Sequence, residues 1–152
     1  MSSDRDFLEH AIRLAEANVA QGGRPFGAVL VREGQRLTEA SNQMHIGFDP
    51  TAHAELLCIR QASQLLASNR LEGCVIYASG QPCPMCLSAI HLCGISRVVF
   101  AATNAEGEPF GLSTAAVYQQ LSLPLAQQSL RIEHAAHSAM TPLYQRWYAQ
   151  HA

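Results

Sequence analysis

Apolar residues recur along this chain at two spacings, and the switches between them mark out its elements. Over residues 6–20, Phe7, Leu8, Ile12, Ala15 and Val19 share one helical face. Ser3 or Asp4 stands where an N-cap belongs, and Gly22-Gly23 ends the run. Residues 26–31 are short and almost wholly apolar, the pattern of a strand buried on both faces. Glu33-Gly34 then makes a turn, and 36–41 returns as the hairpin partner. A polar loop at 42–50 leads to a helix over 51–66 with Leu56, Leu57 and Ile59 inward. Further on the pattern predicts a strand at 74–78, a helix at 82–92 with proline in its first turn, and a buried strand at 97–101. A loop at 103–111 follows, then a helix at 113–120, a strand at 130–134 and a last helix at 142–151. Strands alternating with helices of this length read as α/β layers around one sheet.

Composition narrows the class. With 152 residues, 48% of them hydrophobic and 14% charged, the chain suits one globular domain over 1–152. No repeat, low-complexity tract or linker interrupts it. The net charge of −2 and the scattered arginines argue against nucleic acid as a partner. No window approaches the length of a membrane helix. The first ten residues carry neither a basic lead nor an apolar run, so the expected compartment is the cytoplasm. There, paired cysteines point to metal or catalysis before a structural disulfide.

The candidate chemistry lies in Gln81-Pro82-Cys83-Pro84-Met85-Cys86. Cys83 and Cys86 stand at i and i+3 at a helix start, so both sulfurs can reach one point. The free amides and positive end of the helix favour thiolates there. Two thiolates in tetrahedral geometry suit Zn²⁺. His53 is the candidate third ligand, also in the first turn of a helix. Three protein ligands leave one position for water, the mark of a catalytic zinc. Glu55, two residues on, then has the role of a proton shuttle rather than a ligand. Two other readings stay open on spacing alone. Cys83 and Cys86 suit a redox dithiol, which gives His53 and Glu55 no work. A structural zinc would need a fourth ligand from Cys58, Cys74 or Cys93, all of which fall in apolar, core-like stretches.

Taken together, H-x-E at 53–55 and P-C-x-x-C at 82–86 are the signature of zinc deaminases. With "PFGAVLV" at 25–31, "SN" at 41–42, "DPTAHAE" at 49–55, "PCPMCLSAI" at 82–90 and "GISRVVFAA" at 94–102, the chain resembles the cytidine deaminase-like superfamily. Within it, the branch of bacterial guanine deaminases and tRNA adenosine deaminases is most similar. The resemblance implies a three-layer α/β/α fold with a five-stranded mixed sheet. It also implies one catalytic zinc per chain and a homodimer, in guanine deaminases with an exchanged C-terminal segment. The implied activity is hydrolytic deamination of a small nucleobase or aminated heterocycle, with guanine to xanthine first. Cytosine, a nucleoside or an aminotriazine are the alternatives, then tRNA adenosine. A zinc-stabilised binding or redox module is the reading outside enzymes.

Carried over residue by residue, the resemblance makes His53, Cys83 and Cys86 the zinc ligands and Glu55 the shuttle. Asn42 would read the base edge, Phe26 would pack on the ring, and Ala54 would lend a backbone N–H. His91 on the 82–92 helix, and Trp147 with Tyr148 near the C-terminus, are further candidates for the pocket. One departure stands out. Guanine deaminases carry a second carboxylate in the loop after the fourth strand, and here that position falls at Ser113 or Thr114. Glu106 and Glu108 lie nearby as possible replacements.

Overall fold

The structure, a computed structural model, describes residues 3–151. They divide into two compact units, the first ending at Tyr118 and the second beginning at Gln119. In the first unit Ser3 opens α1 (Asp4–Ala20) with a capping box: its hydroxyl accepts the N–H of Asp6, whose carboxylate accepts the N–H of Ser3. β1 (Gly27–Arg32) turns into β2 (Gln35–Ser41) through Glu33 and Gly34, both at positive φ. Two left-handed residues match the right-handed twist of the flanking strands. After α2 (Met44–Gly47) and α3 (Ala54–Leu66), β3 (Cys74–Gly80) pairs antiparallel with β1. α4 (Pro84–Cys93) crosses over to β4 (Arg97–Ala102), which lies parallel to β3. α5 (Asn104–Gly107), a 3-10 turn at Glu108–Phe110 and α6 (Ala115–Leu121) follow.

The sheet is mixed, in the order β2-β1-β3-β4. β1 sits inside it and is buried from Gly27 to Val31. Its alternate side chains serve two cores. Ala28 and Leu30 join Ala54, Cys58, Ile76 and Ile90, beneath α3 and α4. Val29 and Val31 join Phe7, Ala11 and Tyr77, beneath α1. Helices therefore cover both faces, in three layers. The second unit contains α7 (Met140–His151) and a 3-10 turn at Leu125–Gln127, and none of its described residues is buried.

Four expectations change. The sheet has four strands among the described residues, not five. Residues 130–134 are extended but unpaired, with Leu130 and Ile132 exposed. Alternating Leu130, Ile132 and His134 can supply a face, but a strand exists only through a ladder partner. The 103–111 loop is partly helical, because Thr103 and Glu106 form a second capping box. α3 begins at Ala54 rather than at 51, because the Asp49 carboxylate holds the N–H and hydroxyl of Thr51 in an Asx turn. The inward faces also shift toward small residues. α1 buries Phe7, Ala11, Ala15 and Asn18 and leaves Val19 half exposed, while α3 buries Ala54, Glu55, Cys58 and Ala62 more fully than Leu56, Leu57 or Ile59.

Small faces let the helices approach the sheet closely. A Cβ at Gly27 would stand 2.3 Å from the Ala11 carbonyl oxygen and 2.9 Å from the Ala15 amide nitrogen. Backbone on both sides leaves no flexible group to yield. Gly27→Ala is therefore expected to destabilise the fold by about 2–3 kcal/mol and to lower Tm by roughly 5–10 °C in thermal unfolding.

Candidate metal centre and substrate pocket

Two helix starts meet at the C-terminal edge of β3 and β4. His53 is the N-cap of α3, in extended conformation at φ −80° and ψ 151°. Cys83 is the N-cap of α4, at φ −67° and ψ 166°, and Pro84 fixes the first helical residue after it. The loop between β3 and α4 is pinned to the sheet, since the Gln81 N–H donates to the Ala102 carbonyl at 2.7 Å. This places the Cys83 sulfur 3.3 Å, and the Cys86 sulfur 3.6 Å, from His53 Nδ1. The three ligand atoms all lie within 4.8 Å of one another, and no other such trio occurs among the described residues. Tetrahedral zinc, with bonds of about 2.3 Å to sulfur and about 2.0 Å to nitrogen, spaces its ligand atoms roughly 3.5–3.8 Å apart. The donor set and its spacing therefore fit one zinc ion, with His53 offering Nδ1.

The charges around this point are arranged for a cation. The Cys83 thiol is lowered to about 4 by its hydrogen bonds, first with Cys86 and then with His53. The Cys86 thiol is raised in return, first by Cys83 and then by burial. The His53 imidazole is raised, chiefly by its contact with Cys83. Each of these features is an acidic or electron-rich group held near another, which a divalent cation relieves. Glu55, in the first turn of α3, is buried, and burial pushes its carboxyl up to about 7. Cys58, one turn on, is a core thiol: burial pushes it up to about 12, and it donates to the Ala28 carbonyl.

A cavity of about 90 Å³ opens onto His53 and Cys83 of the trio. Of the expected residues, His53, Glu55, Cys83, Asn42 and Phe26 line it. Asn42 is almost fully buried, and its side-chain oxygen accepts the Met44 N–H at 3.0 Å. Ala54 is fully buried at the start of α3, where amides lack intrahelical acceptors. Cys86 lies wholly behind the wall. Glu106 lines an adjoining hollow instead, where Thr103 engages its carboxylate, and Glu108 is exposed and lines neither space. His91 is exposed on α4 and does not line the cavity, because it falls on the helix face opposite buried Ile90 and Cys93. Trp147 belongs to the second unit, where it is exposed and stacks on His151 at 4.4 Å.

Arg24, Met44, Gln81, Leu112 and Thr114 complete the wall. Gln81 had a signal, as the residue before P-C-x-x-C. Thr114 had one too, as the position of the missing carboxylate. Arg24 and Leu112 come from loops and Met44 from the start of α2, three segments that no local motif connects. Wider hollows of about 590 and 610 Å³ along β2 are open and hold no trio of metal-ligating side chains.

Residues 1–102 match the family described as the cytidine and deoxycytidylate deaminase zinc-binding region. The guanine deaminase of Bacillus subtilis (strain 168) is 34% identical over 142 residues, which cover 93% of this chain and 91% of the relative. A tRNA-specific adenosine deaminase of Aquifex aeolicus (strain VF5) is 42% identical over 100 residues, 66% of each chain. The X-ray structure of the Bacillus subtilis guanine deaminase superposes with a TM-score of 0.91 at 32% identity, covering 97% of this chain and 95% of the other. The four-stranded α/β fold is thus cytidine deaminase-like, and the trio at the helix starts lies within the matched zinc-binding region. The chain belongs to the cytidine and deoxycytidylate deaminase zinc-binding family, and it is a zinc-dependent deaminase.

Proposed function

We propose that the protein deaminates a small free base by hydrolysis, with guanine to xanthine as the first choice. The observation that carries this reading is the small cavity in which Glu55 faces the ligand trio. At about 90 Å³ it is well below the roughly 300–1,000 Å³ typical of drug-sized ligand sites. A single ring system suits it better than a nucleotide held in a larger RNA. The similarity to a guanine deaminase over 93% of the chain supports the same choice, since the similarity to the tRNA enzyme covers 66%. The net charge of −2 also argues against an RNA substrate.

His53, Cys83 and Cys86 would hold the zinc. When bound there, zinc lowers the pKa of a water molecule from about 15.7 to about 7. Glu55 moves the protons. Burial raises its carboxyl and the adjacent cation would lower it, and between the two it both accepts and gives a proton. It takes a proton from the attacking water and delivers it to the ring nitrogen beside the amine-bearing carbon. It then takes the proton of the hydroxyl now on that carbon and delivers it to the departing nitrogen. The carbon–nitrogen bond breaks, ammonia leaves, and the ring gains a carbonyl. Phe26 packs on the ring, Asn42 and the Ala54 amide bind its edge, and Glu55 carries every proton. Glu106 is committed to its capping box and Glu108 is exposed, so neither takes a share. His91 has no role in this reading. Five free cysteines, two of them ligands, fit a reducing, cytoplasmic setting.

The working form we propose is a homodimer with an exchanged C-terminal segment, so that residues 1–152 act as one deaminase domain. By itself the second unit buries none of its described side chains, although Leu125, Leu130, Tyr144, Trp147 and Tyr148 are apolar or aromatic. A unit without a core does not stand alone. In the first unit, edge strand β4 leaves Phe100 partly exposed. In the exchanged arrangement Trp147 covers the partner's pocket.

Metal analysis of the purified protein should give about one zinc per chain, lost in His53→Ala and Cys83→Ser. Glu55→Gln should keep the zinc and lose on the order of 10²–10⁴ in turnover. Ammonia release should be best with guanine among guanine, cytosine, adenine, their nucleosides and ammeline. Glu106→Gln and Glu108→Gln should cost far less than Glu55→Gln. Full activity of metal-free protein or of Glu55→Gln would overturn the mechanism, and inosine formation in tRNA would move the chain to the other branch. Light scattering at micromolar concentration should return about twice the 16.5 kDa chain mass; a stable monomer sinks the exchanged dimer.

A further inference from the structure

Along the inward face of α1 run Phe7, Ala11, Ala15 and, in the last turn, Asn18. Three of these are apolar or small, and the fourth is a primary amide that is only 5% exposed. Burying an amide costs free energy unless its hydrogen bonds are made. Here its donors are both matched. Asn18 Nδ2 donates to the Arg24 carbonyl at 2.7 Å and to the Asn42 carbonyl at 2.8 Å. Because both partners are carbonyls, the nitrogen must be the atom that faces them, and both of its hydrogens are in use.

The two carbonyls belong to separate segments. Arg24 lies between α1 and β1, and Asn42 follows the end of β2. The β1–β2 ladder ends with the pair Gly27 and Ser41, so Arg24 and Asn42 stand just beyond it, where no strand pairing fixes their separation. Both line the cavity that holds Glu55, and so does Phe26. Backbone bonds join the same residues: the Phe26 N–H donates to the Arg24 carbonyl at 2.8 Å, and the Asn42 N–H to the Phe26 carbonyl at 3.0 Å. The Asn18 carbonyl holds the start of the loop as well, by accepting the Gly23 N–H at 2.8 Å. Gly23 leaves room for this arrangement, since a Cβ there would stand 2.5 Å from Asn18 Nδ2. Asn18 itself does not line the cavity.

We propose that Asn18 is a positioning residue for base binding: its amide sets the separation of Arg24 and Asn42 and, through the chain bonded between them, the place of Phe26. It acts on the substrate wall and not on the metal, because His53, Cys83 and Cys86 are carried by the starts of α3 and α4. The inference rests on the free-base reading above, in which Phe26 and Asn42 hold the ring.

The test is steady-state ammonia release by the zinc-loaded enzyme from guanine, cytosine, adenine and ammeline. KM and kcat are determined for the base that wild type turns over best. Asn18→Leu keeps the volume and removes both donors. Gly23→Ala leaves Asn18 in the chain and displaces its amide. Phe7→Leu, at the other end of α1, loosens the core beneath the same helix without touching the wall. Zinc content and Tm are measured on each, and the kinetics are run well below the lowest Tm. Asn18→Leu and Gly23→Ala should each raise KM about tenfold, the weight of a lost hydrogen bond or two, with a smaller change in kcat and about one zinc per chain retained. Phe7→Leu should lower Tm and leave KM unchanged. A merely structural asparagine would behave as Phe7 does, because partial unfolding removes active molecules and lowers apparent kcat while the KM of the remainder stays the same. Unchanged KM in Asn18→Leu, an equal rise of KM in Phe7→Leu, or loss of zinc from Asn18→Leu overturns the assignment and leaves the deaminase reading standing. If Asn18→Leu does not fold, Gly23→Ala decides by the same KM criterion. No ammonia from any of the four bases, with zinc in place in wild type, overturns the free-base reading itself and this inference with it.

Discussion

Everything at this site depends on holding two helix starts against each other at one edge of a sheet. His53 and Cys83 are 30 residues apart, yet their ligand atoms approach to 3.3 Å. Neither helix could set that distance alone. α3 is placed by Ala54, Cys58 and Ala62, small enough to bring the helix down onto Ala28 and Leu30 of β1. α4 is placed by the parallel crossover between β3 and β4, with Ile90 and Cys93 in the same core. A small displacement of either helix would separate ligands that tetrahedral zinc tolerates only within a few tenths of an ångström. The close packing of the interior is thus a condition of the chemistry as well as of stability.

The same geometry sets the proton chemistry. The helix turn that offers His53 as a ligand places Glu55 in the wall, where loss of water raises its carboxyl to about 7. A cation beside it pulls the other way, so the working value balances burial against the metal. Directly beneath lies Cys58, whose thiol burial keeps protonated and inert. Five cysteines therefore divide by environment. Two at helix starts share charge with a histidine, and three lie buried in the core.

Much of the first unit was legible in the sequence. Helix and strand periodicities located every strand of the sheet, and the Glu33-Gly34 turn was evident from residue type alone. Ligand chemistry was legible as well, because H-x-E and P-C-x-x-C put constrained residue types at constrained spacings. The predicted strand at 130–134 failed for a physical reason. Alternation records which side chains want burial, while pairing depends on a neighbour that one segment cannot specify. The helix faces drifted toward alanine for a related reason: periodicity weighs large side chains, and close approach is decided by small ones such as Ala11 and Gly27.

The sequence by itself determined the reaction class, because metal ligation and proton transfer demand particular atoms, and the motifs name those atoms. Only the tertiary structure decided what surrounds them. It brought Arg24, Met44 and Leu112 from separate segments to one wall, turned His91 to solvent, and committed Glu106 to a capping box. It also left the Thr114 hydroxyl without a partner. These outcomes depend on long-range packing and on competition among hydrogen-bond partners. Such competition is resolved only when the whole chain is in place, so no local stretch of residues encodes it.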